Sequence, residues 1–397
     1  MPEYFLSGRL GFGQSTARTE VERDVADAFI RPEWTLCAFD DGVLASKMAT
    51  LPLRVYWNTR VIPCGGVTAV TTLPSHRRRG HLRELMARSF CIMHDAGQPI
   101  AMLWASMAAI YQRFGYGMAF ATHTCTFDAR QLSFVEEVVH PGNLSIISNA
   151  EAAAVTSDAY ERFAVRRTTA LKRDDDWRAR LTRELGRRGD ASLSPFLVVV
   201  YQEAGEVLGY LVYDIEHSPP RRLAPQDRIL AHEFVWLTPA AHRALIGYLS
   251  SYDLVATVWF RLLAADDPLF HGVEDPRLLG LSLSDGAFLR IVDVRAALEG
   301  RGYDRAGRLR FRLEDSLCPW NSGTWEVEAA GGKARLRPAT SEPSLALTPR
   351  ALAMLATGYQ RATTLAQMGL IAGDTGALEL ADRLFSTRCS PICLDHF

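Results

Sequence analysis

The densest chemistry in this 397-residue chain is a basic run, Ser75-His76-Arg77-Arg78-Arg79-Gly80-His81-Leu82-Arg83. Ahead of it, Gly66 to Leu73 (G-V-T-A-V-T-T-L) is rich in β-branched residues and stops at Pro74, the pattern of a buried strand. Behind it, Leu82, Leu85, Met86, Ser89 and Met93 recur at helical spacing until Gly97, one apolar face of an amphipathic helix. The run therefore falls at a strand-to-helix junction. Backbone N–H groups at a helix start lack intrahelical acceptors, and the helix dipole favours an anion there. Arginines add charge, and glycine lets the backbone close on a ligand. An R-x-x-G at such a junction can hold a pyrophosphate, whereas the same run elsewhere is usually a solvated turn. It is neither G-x4-G-K-[ST] nor G-x-G-x-x-G, which sets it apart from Walker loops and dinucleotide turns.

Other reactive types are less organised. Cys389 and Cys393 form C-x3-C without a second Cys/His pair at zinc spacing, and His232, His242 and His271 show no ligand spacing. No metal is expected, and these histidines read as surface or hydrogen-bonded residues. Trp34 and Trp104 are candidates for an acceptor pocket, although a buried tryptophan is more often core.

The elements that must position the run follow from pattern. Pro99 to Ala105 (P-I-A-M-L-W-A) is a second short apolar strand, so the unit is strand, basic loop, helix, strand, a crossover between parallel neighbours. In the last third, Gly307 to Glu314 and parts of 324–337 alternate apolar and charged residues as half-exposed antiparallel strands do. Thr348-Pro349 then supplies an N-cap and first-turn proline for a helix carrying Leu352, Leu355 and Tyr359. The fold class is mixed α and β, with a separate α+β region at the end. At about 150 residues per domain the chain holds two or three domains. Composition shifts, in Glu161 to Asp190 and at Asp285-Gly286, divide it into 1–155, 156–287 and 288–397.

Lys plus Arg (44) against Asp plus Glu (45) leaves a net charge of −1, which argues against nucleic acid as partner and against anionic membrane. Met1 to Ser15 lacks a signal-peptide pattern, and Ala96 to Gln112, the longest uncharged stretch, is too short to span a bilayer and contains Pro99. Seven scattered cysteines suit a reducing cytoplasm. No repeat of solenoid period is present.

The strand, P-S-H-R-R-R-G-H-L-R, the helix, the strand ending W-A-S, and I-Y-Q-R-F-G-Y-G resemble the acetyl-coenzyme A core of the GNAT superfamily of N-acetyltransferases. Within it the chain resembles the Eis (enhanced intracellular survival) family over nearly its whole length, including F-L-R-I-V-D-V-R-A-A-L-E-G-R-G-Y (288–303), C-P-W-N-S-G-T-W (318–325) and the terminal Phe397. The resemblance implies a GNAT domain, a second degenerate GNAT domain and a sterol-carrier-protein-like domain, assembled as homohexamers.

It also implies roles. Val70, Thr71 and Thr72 would offer splayed strand backbone to the pantetheine of acetyl-CoA. Arg78, Arg79, Gly80, His81, Leu82 and Arg83 would form the pyrophosphate loop, and Ser106 and Met107 would contact the cofactor past the next strand. Tyr111 matches the family's general acid and the Phe397 carboxylate its general base. A tyrosine, with a reference pKa near 10, is reasonably matched to a leaving thiol near 8.5. A terminal carboxylate, near 3.5, is a weak base unless it works through water or is raised by burial. Where an acid commonly precedes the terminal Phe, this chain has His396, and Gln14 stands where an aspartate is expected. The acceptor pocket is thus expected to be less acidic than in aminoglycoside-modifying members. The resemblance implies as acceptor a small-molecule primary amine, aminoglycoside-like or polyamine, or a lysine side chain. The second GNAT region lacks an R-x-x-G junction and is expected to bind no cofactor. The competing reading is a non-catalytic carrier whose C-terminal domain holds an apolar ligand.

Overall fold

A computed structural model describes residues 2–13, 30–185, 194–218 and 227–397; Gln14 lies outside the described residues. The chain divides into two compact units, one of Met1–Phe120 with Gly286–Phe397 and one of Ala121–Asp285.

The first unit opens with helix α1 (Pro2–Gly11) and strands β1 (Thr35–Asp40), β2 (Val43–Trp57) and β3 (Arg60–Thr72). Two-residue turns join the strands: Asp41-Gly42 and Asn58-Thr59 all have positive φ, as such hairpins require. The basic loop leads into α2 (His81–Asp95), followed by β4 (Ile100–Trp104), α3 (Ala108–Gln112) and β5 (Gly117–Met118). A strand from much later, β13 (Ala287–Ile291), runs antiparallel to both β4 and β5, completing a six-stranded sheet in the order β1-β2-β3-β4-β13-β5. The β3–β4 pair is parallel, as the crossover pattern predicts. Leu85, Met86, Phe90 and Met93 of α2 pack with Val67, Ala101, Leu103, Phe114, Tyr116 and Phe288 into one core. A side chain at Gly65 would stand 2.8 Å from the Met93 sulfur, so Met93 would have to move.

The second unit is built on a seven-stranded sheet, ordered β12-β6-β11-β10-β9-β8-β7. Its strands are β6 (Ala121–Phe127), β7 (Asn143–Ile147), β8 (Leu197–Glu203), β9 (Glu206–Glu216), β10 (Asp227–Trp236), β11 (Val255–Leu263) and β12 (Ser282–Asp285). Helix Pro239–Leu249 carries the crossover between the parallel pair β10 and β11. Strands β6 and β7 pair in this sheet, whereas β13, which follows it in the chain, pairs in the first. Strand partners are chosen by long-range pairing, which local composition does not record.

The C-terminal part of the first unit holds a five-stranded sheet in the order β16-β15-β14-β17-β18. Its strands are β14 (Gly307–Leu313), β15 (Gly323–Ala330), β16 (Lys333–Pro338), β17 (Leu345–Leu347) and β18 (Ile371–Gly373). Leu309, Phe311, Leu313, Val327 and Leu336 are buried while Arg308, Arg312 and Arg335 are exposed, the expected alternation. Helix Pro349–Ala356 starts at the predicted cap, with Ala351 N–H donating to Thr348 Oγ1 at 3.1 Å, but it stops before Tyr359 because Gly358 turns the chain at φ +76°. Buried Arg301 donates to the carbonyls of Ala356 (2.7 Å) and Phe385 (2.6 Å), the last residues of two helices, and to that of Gly302 (2.8 Å). Two negative helix ends thus surround one cation; burial nevertheless pulls its pKa down to about 10.

Among the described residues no helix is long and apolar enough to cross a membrane, and no group of three His, Cys, Asp or Glu side chains is placed to hold a metal. All seven cysteines are free.

Candidate active site

Strands β3 and β4 pair only from Cys64–Ile100 to Gly66–Met102, then part. A bulge bends β3 just beyond: Lys47 faces Thr71 and Ala49 faces Thr68, leaving Ala69 and Val70 opposite one residue of β2. Ala69 takes φ +53°, a left-handed conformation costing an L-residue about 1–2 kcal/mol. The resulting split leaves Val70, Thr71 and Thr72 without a strand partner on the β4 side. The Thr71 hydroxyl is buried without a hydrogen-bond partner among the described residues, and the Thr71 carbonyl accepts from Ser46 Oγ of β2 at 3.1 Å. Gly11 lies close enough that a side chain on it would strike the Thr71 methyl.

At the open end of the split, α2 begins without a side-chain cap. Its first intrahelical bond is Glu84 N–H to Gly80 carbonyl (3.2 Å), leaving the N–H groups of His81, Leu82 and Arg83 open. Gly80 sits at φ +92° and Arg78 at φ +65°, so two left-handed residues turn the backbone into the helix. The basic side chains divide their labour. Arg77 is tied to the Gly11 carbonyl (2.9 Å), Arg79 to Asp40 (2.9 Å) and the Ser75 carbonyl (3.2 Å), and His81 Nε2 lies 3.3 Å from Asp40. Arg78 and Arg83 are exposed and have no side-chain partner among the described residues. Leu82 packs against the core and contributes only backbone. The Arg79 guanidinium, with His81, holds the Asp40 carboxyl below the usual carboxylate range. Asp40 was not among the expected site residues; its D-D-G setting signals only a hairpin turn.

The corresponding junction of the second unit is closed. Between β10 and its helix, Thr238 Oγ1 accepts from Ala241 N–H (3.1 Å) and Pro239 occupies the first helical position. A side chain there takes up a donor that α2 leaves open.

Past β4, Ser106 and Met107 are exposed and precede α3, which presents Tyr111. Tyr111 is buried in the core cluster with its ring edge-on to Tyr116, centroids 6.1 Å apart. Burial pushes its pKa up to about 12, so it stays protonated throughout the neutral range. Its hydroxyl makes no hydrogen bond among the described residues, and that of Tyr116 is sealed in the core without a partner. The segment after Tyr111 is braced by buried Arg290, which donates to the Phe114 carbonyl (3.0 Å) and to both oxygens of buried Asp315.

The chain end comes to the same split. Ile392 to Asp395 are buried, and a side chain on Gly66 would stand 3.2 Å from the Phe397 ring. Trp104, the last residue of β4, donates its indole N–H to the Asp395 carbonyl (3.0 Å) and stacks on His396 at 3.8 Å. Trp34 is half-buried beside β1. His242 is buried against Asp267 at 3.0 Å, in the second unit.

A parallel strand pair that splits before an uncapped, arginine-flanked helix start defines the class as a GNAT acyltransferase core. Models of the acetyltransferase (GNAT) domain match residues 2–119 and 169–291, and one of the sterol carrier protein domain matches 294–394. The chain is 30% identical over 387 residues to N-acetyltransferase Eis of Mycobacterium tuberculosis, covering 90% of this chain and 91% of that one. It is 32% identical over 335 residues to an uncharacterized N-acetyltransferase of Streptomyces avermitilis, covering 83% of this chain and 81% of that one. The crystal structure of Eis1 from Mycobacterium abscessus superposes with a TM-score of 0.84 at 27% identity, over 99% of this chain and 96% of that one. A GCN5-related N-acetyltransferase from Anabaena variabilis shares the fold at the same TM-score of 0.84 and 19% identity, over 98% of this chain and 96% of that one. The chain belongs to the Eis-like family of N-acetyltransferases: two GNAT domains followed by a sterol-carrier-type domain.

Proposed function

We propose that the protein transfers acetyl from acetyl-coenzyme A to a primary amine by direct attack in a ternary complex. The observation that carries this is the uncapped start of α2 at the open end of the β3–β4 split, with three N–H groups and two arginines that have no partner among the described residues. That donor set fits a pyrophosphate, and the unpaired edge of Val70 to Thr72 fits an amide-bearing pantetheine arm. The co-substrate, when bound, supplies a thioester whose carbon–sulfur bond breaks as the new amide forms.

The chain's own groups manage two protons. Tyr111 keeps its phenolic proton at neutral pH and delivers it to the departing sulfur. The Phe397 carboxylate takes the proton shed by the attacking amine, through a bridging water. Ser106 and Met107 flank the thioester end. The acceptor is a small-molecule amine or a lysine side chain, and His396 beside the chain end makes this entrance less acidic than a polycation pocket requires. Cytoplasmic residence rests on the scattered free cysteines, and homohexameric assembly on the family resemblance alone.

The test is thiol release from acetyl-coenzyme A with kanamycin, spermidine and a lysine peptide, against controls without enzyme and without acceptor. Turnover above both controls is expected with at least one amine. No turnover, together with no saturable acetyl-coenzyme A binding, would overturn the reading.

A further inference from the structure

We infer that Trp104 is a positioning residue for the chain's own terminal carboxylate; the inference rests on the role proposed above for Phe397. A chain terminus ordinarily frays, since nothing beyond it supplies contacts. Here the last three residues are each fixed, and fixed to the two strands that flank the split. Asp395 is held through its carbonyl, which accepts from Trp104 Nε1 (3.0 Å) and from Cys393 Sγ (3.3 Å). His396, though exposed, lies flat on the Trp104 indole with ring centroids 3.8 Å apart and planes 17° apart. Phe397 packs where Gly66 of β3 has no side chain.

Trp104 itself has little freedom. Its backbone is paired with Ala287 of β13, and its ring meets Phe120 edge-on at 5.7 Å. One rigid side chain therefore makes two different contacts to consecutive residues, one polar and one face-to-face. Together they fix the direction in which the chain leaves residue 396, and so where the carboxylate one residue later sits. Neither contact reaches the carboxylate, so Trp104 acts through the tail.

The experiment has two readouts. Carboxypeptidase A removes a C-terminal aromatic residue only when the tail can leave its site, so phenylalanine release measures anchoring without any acceptor. Trp104→Phe keeps an aromatic face and loses the N–H; His396→Ala loses the stack at an exposed position and leaves the core intact. Each is expected to speed phenylalanine release by about 3–10-fold, the worth of one neutral hydrogen bond or one ring contact, at a Tm close to wild type. Turnover of the best amine of the panel should fall by a similar factor with the acetyl-coenzyme A KM nearly unchanged. In a chain lacking Phe397, the same substitutions should change turnover less than about twofold, because the terminal carboxylate then sits on His396, one residue short of the place the tail carries it to.

Wild-type release rates in both variants, or an equal loss of turnover with and without Phe397, would overturn the positioning role. Full activity of the chain lacking Phe397 would instead remove the terminal base on which it rests. If Trp104→Phe does not fold, His396→Ala alone decides.

Discussion

The Asp40 carboxylate and the Arg79 guanidinium meet at 2.9 Å, joining the sheet's edge strand to the loop that opens α2. One arginine of the basic run is thereby an anchor, and the neighbouring left-handed Arg78 is set outward. Asp40→Asn should loosen the loop while keeping the side chain's shape. The pair is exposed and holds the loop only weakly, so the acetyl-coenzyme A Kd should rise by up to about fivefold with kcat nearly unchanged. Calorimetric titration at low and high salt checks it. Tighter binding in the variant would mean that Asp40 withholds Arg79 from the anion.

Tyr111 and Tyr116 are neighbours in one core, and their hydroxyls should behave oppositely. Tyr111→Phe is expected to cut turnover by about 100-fold or more, the typical worth of a general acid, with acetyl-coenzyme A affinity retained. Tyr116→Phe removes a hydroxyl that is buried without a partner, so stability should hold or improve and activity should persist. Steady-state kinetics and thermal melts on the pair separate the roles. Equal turnover in Tyr111→Phe and wild type would take Tyr111 out of the acid role.

The alkaline side gives a second handle on Tyr111. Its pKa is raised from 10 in the unfolded chain to about 12 in the fold, so the folded state favours the protonated form. That stabilisation is complete below pH 10 and is lost as pH rises through 12. The stability of wild type relative to Tyr111→Phe should therefore decline between pH 10 and 12 and be flat from pH 7 to 9. Urea unfolding of both proteins across that range measures the difference, in which contributions from other titrating groups cancel. A constant difference up to pH 12 would contradict the assigned burial of the phenol.

Much of the site's scaffold was legible in the sequence for physical reasons that are local. The β-branched run, the helical spacing behind Gly80 and the Thr348-Pro349 cap are short-range signals, and the strand end, the α2 limits and the start of the Pro349–Ala356 helix fall where expected, although the strand begins six residues earlier, at Arg60, and that helix ends before Tyr359. What escaped is non-local. Asp40 is separated from Arg79 by 39 positions and Trp104 from Asp395 by 291, and no periodicity records such meetings. The four arginines of the basic run read alike because they carry the same charge; only the fold separates anchored Arg77 and Arg79 from outward Arg78 and Arg83.

Arg301 gives a stability prediction with no bearing on catalysis. Arg301→Met fills similar space but leaves the carbonyls of Ala356, Gly302 and Phe385 without their donor. The loss should be about 3 kcal/mol or more, visible as a lower urea midpoint at unchanged m-value. Arg301→Lys should recover only part, since one ammonium cannot span three acceptors set by a planar fork. A midpoint equal to wild type in the Met variant would show that the helix ends do not need the charge.

The late arrival of β13 has a consequence for biosynthesis. Strands β1 to β5 leave the ribosome by residue 118, yet the place between β4 and β5 stays empty until 287–291 are made. At about 5–20 residues per second that interval is on the order of 10–30 s, during which the edge of β4 is open to wrong partners. Ala121–Asp285 lies wholly within the interval and can complete its own sheet first. The nascent chain should therefore acquire protease resistance out of sequence order, the middle before the beginning, and its catalytic half should depend most on chaperones while translation continues.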